Sequence, residues 1–168
     1  MDDAAYLAHA LTHFQAIRRR TERALSRVDD EGFFARLDLE SNSLATLAKH
    51  VAGNMISRWT DFLSTDGEKP DRQRDAEFET ATGETRSSVM ARWELGWTTF
   101  LATLASLGPG DLVRTVTIRG EPHSVFQAIE RQKEHYAYHC GQMVLLAKHF
   151  AGPAWTSLSI PRARGGKA

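Results

Sequence analysis

The sequence predicts an all-α protein, a four-helix bundle with one long crossover between its second and third helices. Four long segments repeat apolar residues with a helical period, and no segment alternates for long enough to predict an extended strand. Helices of similar length with one apolar face bury that face most simply against one another. The 168 residues predict a single domain, residues 1–168, large enough to bury a core without disulfides.

The predicted helices cover residues 3–28, 43–63, 84–107 and 125–150. Ser124 followed by Gln127 is typical of a capping box at the start of the fourth helix. Residues 41–43, Ser-Asn-Ser, offer caps for the second, and Gly-Pro-Gly at residues 108–110 ends the third. These start and stop signals support the division into four helices.

The connections between the helices differ in character. A β-branched run within residues 112–118, followed by Gly120 and Pro122, predicts a short strand or hairpin before the fourth helix. The crossover, residues 64–83, is longer than the usual two to eight residues of a bundle connection and rich in charges of both signs. It is either a solvated connector or a flap over one end of the bundle. Residues 154–168 are predicted to form an extended C-terminal tail.

Composition excludes several partners. The 21 basic and 21 acidic residues give zero formal net charge, so nothing favours nucleic acid or an anionic membrane as a partner. Cys140 is the single cysteine, which excludes an intramolecular disulfide and fits a reducing compartment. The first residues lack the apolar core of a signal peptide, and no apolar run is long enough to cross a bilayer. We therefore expect a cytoplasmic protein.

Histidines on the fourth and second helices predict a metal site. His135 and His139 stand one turn apart on one helical face. His135 lies on the flank of the apolar stripe, and His139 lies inside it. On the second helix His50, Asn54 and Arg58 form a ladder along the edge of the apolar stripe. Inward-facing polar side chains need partners, because an unpaired buried polar group is costly. A metal ion shared by His50, His135 and His139 would supply one.

The ligand set indicates the kind of ion. Three neutral imidazoles suit zinc, nickel, copper or iron(II), with zinc or nickel preferred here. Three protein ligands leave a coordination position open, as in catalytic zinc sites. Asn54 and Arg58 are candidates for binding a carboxylate of a small-molecule ligand. Alternatively, Arg58 pairs with an acidic residue of the crossover.

Other candidate residues are given structural roles. His9 and His13 also stand four apart, but they lie far from the centre of the apolar stripe and are predicted to be at the surface. His123 is predicted in a loop, and His149 near the C-terminus of the last helix, where a cation is favoured. Cys140 points about 100° away from His139 and is interpreted as a packing residue. No catalytic residue is predicted.

Several stretches of the chain resemble the DinB/YfiT-like superfamily of bacterial proteins, and within it a branch of unknown function. The matching stretches cover nearly the whole chain and include residues 42–44, 49–63, 66–70, 74–78, 93–97, 135–142 and 155–161, together with Arg131. The resemblance implies a four-helix bundle with a long crossover, usually dimeric. It also implies a metal on one histidine of the second helix and two of the fourth, the positions of His50, His135 and His139.

The resemblance further implies thiol chemistry, since members of the superfamily include transferases that use bacillithiol or mycothiol and a maleylpyruvate isomerase. The first functional hypothesis is therefore a metal-dependent transferase acting with a low-molecular-weight thiol. A non-catalytic, stress-linked protein that binds a metal or ligand is one alternative. A metal-dependent hydrolase is another, weakened because no inward-facing acid lies near the histidines in sequence. A homodimer is expected from the resemblance and from Trp93, Trp97 and Trp155 as interface candidates.

Overall fold

A computed structural model, which describes residues 2–160, contains a helical bundle and one hairpin. Its elements are α1 (Asp3–Leu25), α2 (Asp30–Phe34), α3 (Leu44–Trp59), α4 (Arg86–Ser106), β1 (Thr115–Ile118), β2 (Glu121–Ser124) and α5 (Val125–Ala151). The predicted all-α bundle with a short hairpin before its last helix is confirmed. Residues 161–168 of the predicted tail lie outside the described residues. None of the described helices has the length and apolar character needed to cross a membrane.

Side-chain caps explain where the long helices begin. Asp2, Ser43, Thr85 and Ser124 each accept a hydrogen bond from a backbone amide in the first turn of α1, α3, α4 and α5. The predicted capping box between Ser124 and Gln127 is present.

The sequence missed one helix and placed two helix ends too late. Helix α2 has only five residues, which is too short to show a period. Helix α1 ends at Leu25, where residue 28 was predicted. Helix α3 ends at Trp59, where residue 63 was predicted, because Thr60 turns to an extended conformation and Asp61 adopts a positive φ of 48°.

Helix α3 runs through the middle of the molecule. It packs against α2, α4, α5 and the short 3-10 helix Asp75–Phe78 of the crossover. All of its residues except Ile56 are buried, including the polar Lys49, His50, Asn54 and Arg58. Polar side chains on so enclosed a helix need partners inside the protein, and this enclosure positions the site.

The tryptophans of α4 belong to the core of the chain. Trp93 and Trp97 are 2% and 0% exposed, and Trp97 joins an aromatic cluster with Phe100 and Tyr136. They therefore supply no surface for a partner, and their use as interface candidates is wrong. Trp155 is half-buried, with the Arg27 guanidinium 5.8 Å from its ring centroid. The homodimer stays a prediction that rests on the resemblance.

The crossover is fastened to the hairpin. The amide of Gly67 donates to the carbonyl of Thr117 at 2.8 Å. The Asp66 carboxylate accepts from the amides of Arg119 and Gly120, also at 2.8 Å, in the turn between β1 and β2. The crossover therefore has a defined path across one end of the bundle.

Gly96 permits the close packing of α4 on α3. A Cβ at this position would lie 3.0 Å from the Cα and 3.1 Å from the carbonyl oxygen of Ala52, which are backbone atoms that cannot swing aside. We expect Gly96→Ala to lower the free energy of unfolding by about 1–3 kcal/mol, measured by denaturant titration. The matched control is Gly141→Ala, where no atom lies within 4 Å of the added Cβ. The control should be neutral or stabilising by up to ~1 kcal/mol, and equal stability of the two variants would contradict the account.

Candidate metal centre

Three histidines from two helices converge at one point. His50 comes from α3, and His135 and His139 come from successive turns of α5. Each offers a ring nitrogen, and these atoms all lie within 4.8 Å of one another. The Nε2 atoms of His135 and His139 are 3.1 Å apart. The three histidines singled out by the sequence thus form a cluster that could hold a metal ion, and metal binding itself stays a prediction.

Two of the three imidazoles are oriented by oxygen acceptors. Nδ1 of His50 lies 3.0 Å from Oε2 of Glu77, and Nδ1 of His139 lies 2.8 Å from Oε1 of Gln142. An acceptor at Nδ1 favours the tautomer with a proton on that atom and leaves the Nε2 lone pair free for a metal. This pairing is typical of metal-ligating histidines.

The third imidazole has a different neighbour. Nδ1 of His135 lies 3.0 Å from the amide nitrogen of Gln132, which also donates to Oδ1 of Asn54 at 2.9 Å. In this orientation His135 accepts at Nδ1 and carries its proton on Nε2. Coordination through Nε2 would require the Gln132 amide to present its oxygen instead. Gln132 is therefore a positioning residue for the centre.

The electrostatics favour neutral imidazoles. Burial, together with the neighbouring His139 and His50, lowers the pKa of His135 to about 3. Burial also lowers the pKa of His139, although its hydrogen bond to Gln142 opposes the shift. Neutral imidazole is the form that binds a metal, so both side chains are ready to coordinate at neutral pH.

Glu77 is the residue that sequence reasoning missed. Its side chain, 3% exposed, accepts from His50 and from both Nε and Nη2 of Arg72, at 2.9 and 2.8 Å. Burial alone would raise the pKa of Glu77, but the bonds from His50 and Arg72 outweigh it and lower the pKa. The carboxylate reaches His50 because Gly53 has no side chain, and a Cβ there would overlap it. The only hint in the sequence was that the crossover is rich in acids.

The crossover thus forms one wall of the centre. Besides Glu77, it places the ring of Phe78 with its centroid 4.9 Å from that of His50. It is more than a solvated connector, because it supplies a hydrogen bond to a candidate ligand. Whether it opens as a flap stays a prediction.

The candidate ligand-binding residues lie beside the cluster. Asn54 and Arg58 are 5% and 4% exposed. Arg58 has no carboxylate within ion-pairing distance among residues 2–160, so no pairing with an acid of the crossover is seen there. Nη1 of Arg58 makes one long bond, 3.4 Å, to Oε1 of Gln132. A cavity of about 400 Å³ opens here, and it is lined by Asn54, Arg58, Arg119, Arg131, Glu134, His135 and Tyr138.

The remaining candidates lie outside the cluster. His9 and His13 stand on α1 with ring centroids 6.2 Å apart, exposed and partly exposed. His123 lies in β2, where a loop was predicted. Cys140 is buried, with Sγ 4.0 Å from the carbonyl of Ile17, as expected for a packing residue.

Fold and site together define a class: a helical bundle whose central helix and last helix present three histidines that could hold a metal ion. The family model described as "Protein of unknown function (DUF1572)" matches residues 2–164. The chain therefore belongs to the DUF1572 family. None of the curated proteins matches it significantly.

Glu77→Gln should weaken metal binding. The amide keeps the shape of the carboxylate but removes the negative charge at the atom that lies 3.0 Å from Nδ1 of His50. Loss of such a partner typically costs 10–100-fold in affinity, which competition titration with a zinc chelator would measure. Glu79→Gln, an exposed change two residues along, is the control and should leave affinity unaltered. Identical zinc affinities for the two variants would contradict a role of Glu77 in metal binding.

Proposed function

We propose that the chain is a metal-dependent thiol S-transferase of the DinB/YfiT-like superfamily, with zinc or nickel held by His50, His135 and His139. The supporting observation is the convergence of three imidazoles beside a cavity that His135 also lines. Four nitrogen or sulfur ligands would indicate a structural zinc site. Three leave room for an exchangeable ligand.

The three imidazole nitrogens suit a divalent ion of intermediate hardness, such as zinc or nickel. Three neutral nitrogens leave the double positive charge of the ion uncompensated, so an anion is its natural fourth ligand. When bound, the ion would supply the Lewis acidity that holds a thiol as thiolate at neutral pH. The thiol specificity comes from the superfamily resemblance.

The residues of the chain would position the reactants. In transfer, the sulfur forms a bond to an electrophilic carbon while the leaving group departs with its electron pair, and the thiol proton passes to solvent. Asn54 and Arg58, which are buried and line the cavity with His135, would orient the molecule that carries the sulfur.

Hydrolysis is the second candidate, favoured by one observation. Glu134 lines the same cavity as His135. It is a possible general base for water. Glu77 is unsuited to that role, because both of its oxygens are engaged by His50 and Arg72.

A protein that binds a metal or ligand without catalysis would use the same centre.

Thiol binding to cobalt-substituted protein tests the proposal. In a Cys140→Ser background, which removes the chain's own thiol, 2-mercaptoethanol should produce a sulfur-to-metal charge-transfer band and release a proton. The band should be absent in His50→Ala. If the thiol leaves the spectrum unchanged while acetate shifts it, the transferase proposal fails and the alternatives move ahead.

The proposal includes a homodimer in the cytoplasm. The dimer rests on the superfamily resemblance, and the location rests on the single reduced cysteine, Cys140.

A further inference from the structure

We propose that the cavity beside His135 is a binding site for a small molecule bearing carboxylate groups, held by Arg58, Arg119 and Arg131. The inference names the substrate class for the proposed transferase and rests on that function where it links the cavity to the metal centre. The cavity volume, about 400 Å³, suits a small organic molecule.

Arg58 is a buried cation that has no acidic ion-pair partner among residues 2–160. The residue is 4% exposed, and its Nε has no hydrogen-bond partner in the described part of the chain. Its single bond to Gln132 is long, at 3.4 Å. Burial lowers the pKa of the guanidinium, and the positive charges of Arg131 and Arg119 lower it further, against the opposing effects of Tyr136 and Glu68. Arginine still stays protonated at neutral pH, so the charge persists without an ion-pair partner.

A buried, uncompensated charge is strongly unfavourable, and proteins normally pair it. Within residues 2–160 no acidic side chain reaches Arg58, although acids are plentiful in the neighbouring crossover. An anion that enters from solvent would complete the site. A carboxylate suits it well, because a guanidinium binds carboxylate oxygens in a planar, bidentate fashion.

Two further positively charged side chains line the cavity. Arg119 and Arg131 line it with Arg58, against one acid, Glu134. The backbone amide of Arg119 donates a hydrogen bond to the Asp66 carboxylate, and its guanidinium contacts Glu68 at 3.2 Å. Arg131 forms no ion pair with any described residue. Arg58 and Arg131, the two lining arginines without an acidic partner among the described residues, favour a ligand with more than one negative charge.

The cavity and the metal centre share a wall. His135 belongs to both, and Asn54 lies between His50 and Arg58 on the same face of α3. A molecule whose carboxylates rest on the arginines can therefore extend toward the position of the ion. The predicted ligand is a small thiol that carries two carboxylates.

Two small thiols, one with two carboxylates and one without charge on its carbon chain, test the inference. Mercaptosuccinate and 2-mercaptoethanol are titrated into cobalt-substituted Cys140→Ser protein, and the ratio of their affinities is measured. We expect mercaptosuccinate to bind at least ~10-fold more tightly, because hydrogen bonds between its carboxylates and the arginines are charge-assisted and therefore stronger than neutral ones. Arg131→Gln and Arg58→Met should each reduce this ratio toward one. Arg23→Gln, an exposed change of the same charge on α1, should preserve it.

A second measurement separates this inference from the proposed function. If neither thiol gives a charge-transfer band, the transferase proposal fails, and calorimetric titration of the zinc-loaded protein with succinate then tests the cavity alone. Succinate binding that Arg131→Gln abolishes would support the inference. Equal affinity for the two thiols, a preference insensitive to both arginine variants, no succinate binding, or displacement of succinate by equimolar phosphate would overturn it. Arg131 is exposed, so its variant keeps the test valid if Arg58→Met does not fold.

Discussion

Replacing His135 and His139 together with alanine should lower zinc affinity by about a thousandfold or more. Structural zinc in zinc-finger peptides binds with about 10–16 kcal/mol, so the loss of two of three ligands should remove several kcal/mol, and each 1.4 kcal/mol is tenfold. The remaining imidazole, His50, cannot hold the ion alone. Metal content after purification and a chelator-competition titration would measure the loss.

The control is the double change His9→Ala with His13→Ala. This pair has the same spacing on α1 but lies outside the cluster, so its removal should leave zinc affinity unchanged. Circular dichroism should show both double variants folded. An unaltered zinc content in the His135 and His139 variant, or a loss in the control, would contradict the assignment.

Arg72→Ala should cause the largest loss of stability. The side chain is 3% exposed and forms a bidentate ion pair with Glu77, which is equally buried, while its Nη1 reaches Glu68 at 3.2 Å. Removing one partner of a buried ion pair leaves the other charge uncompensated, which costs about 3–5 kcal/mol. The free energy of unfolding from denaturant titration should fall by this amount.

Arg72→Ala should also loosen the crossover. Arg72 contacts both Glu77 and Glu68, and Glu68 in turn contacts Arg119 of the hairpin turn. Limited proteolysis should then cut within residues 64–83 faster than in the wild type. The matched control is Arg114→Ala, which breaks an ion pair with Asp111 in which the arginine is 51% exposed. A surface pair of this kind contributes about 0–1 kcal/mol. A similar loss for both variants would refute the special role of Arg72.

The fold was readable because four helices carry their apolar residues on one face. Periodicity located α1, α3, α4 and α5, and Ser124 with Gln127 marked the start of α5 correctly. Helix α2 was missed, because five residues cannot display a period. The role of Trp93 and Trp97 was misjudged because a single sequence does not reveal which aromatic side chains the neighbouring helices cover.

The sequence predicted those site residues whose side-chain direction is fixed by helical geometry. His135 and His139 must share a face, and His50 lies at the edge of an apolar stripe, so their convergence followed from two helices packing together. Glu77 and Arg72 could not be placed in this way. They lie in a segment with no period, whose path depends on burying their mutual ion pair against Gly53 and His50.

X-ray absorption spectroscopy of the zinc-loaded protein measures the ligands of the ion directly. We expect three imidazole nitrogens at about 2.0–2.1 Å and one exchangeable oxygen, which 2-mercaptoethanol replaces with a sulfur at about 2.3 Å. In His139→Ala the imidazole scattering should fall by one ligand. A shell of oxygen atoms alone, or four protein nitrogens that the thiol leaves undisturbed, would contradict a three-histidine centre with an open position.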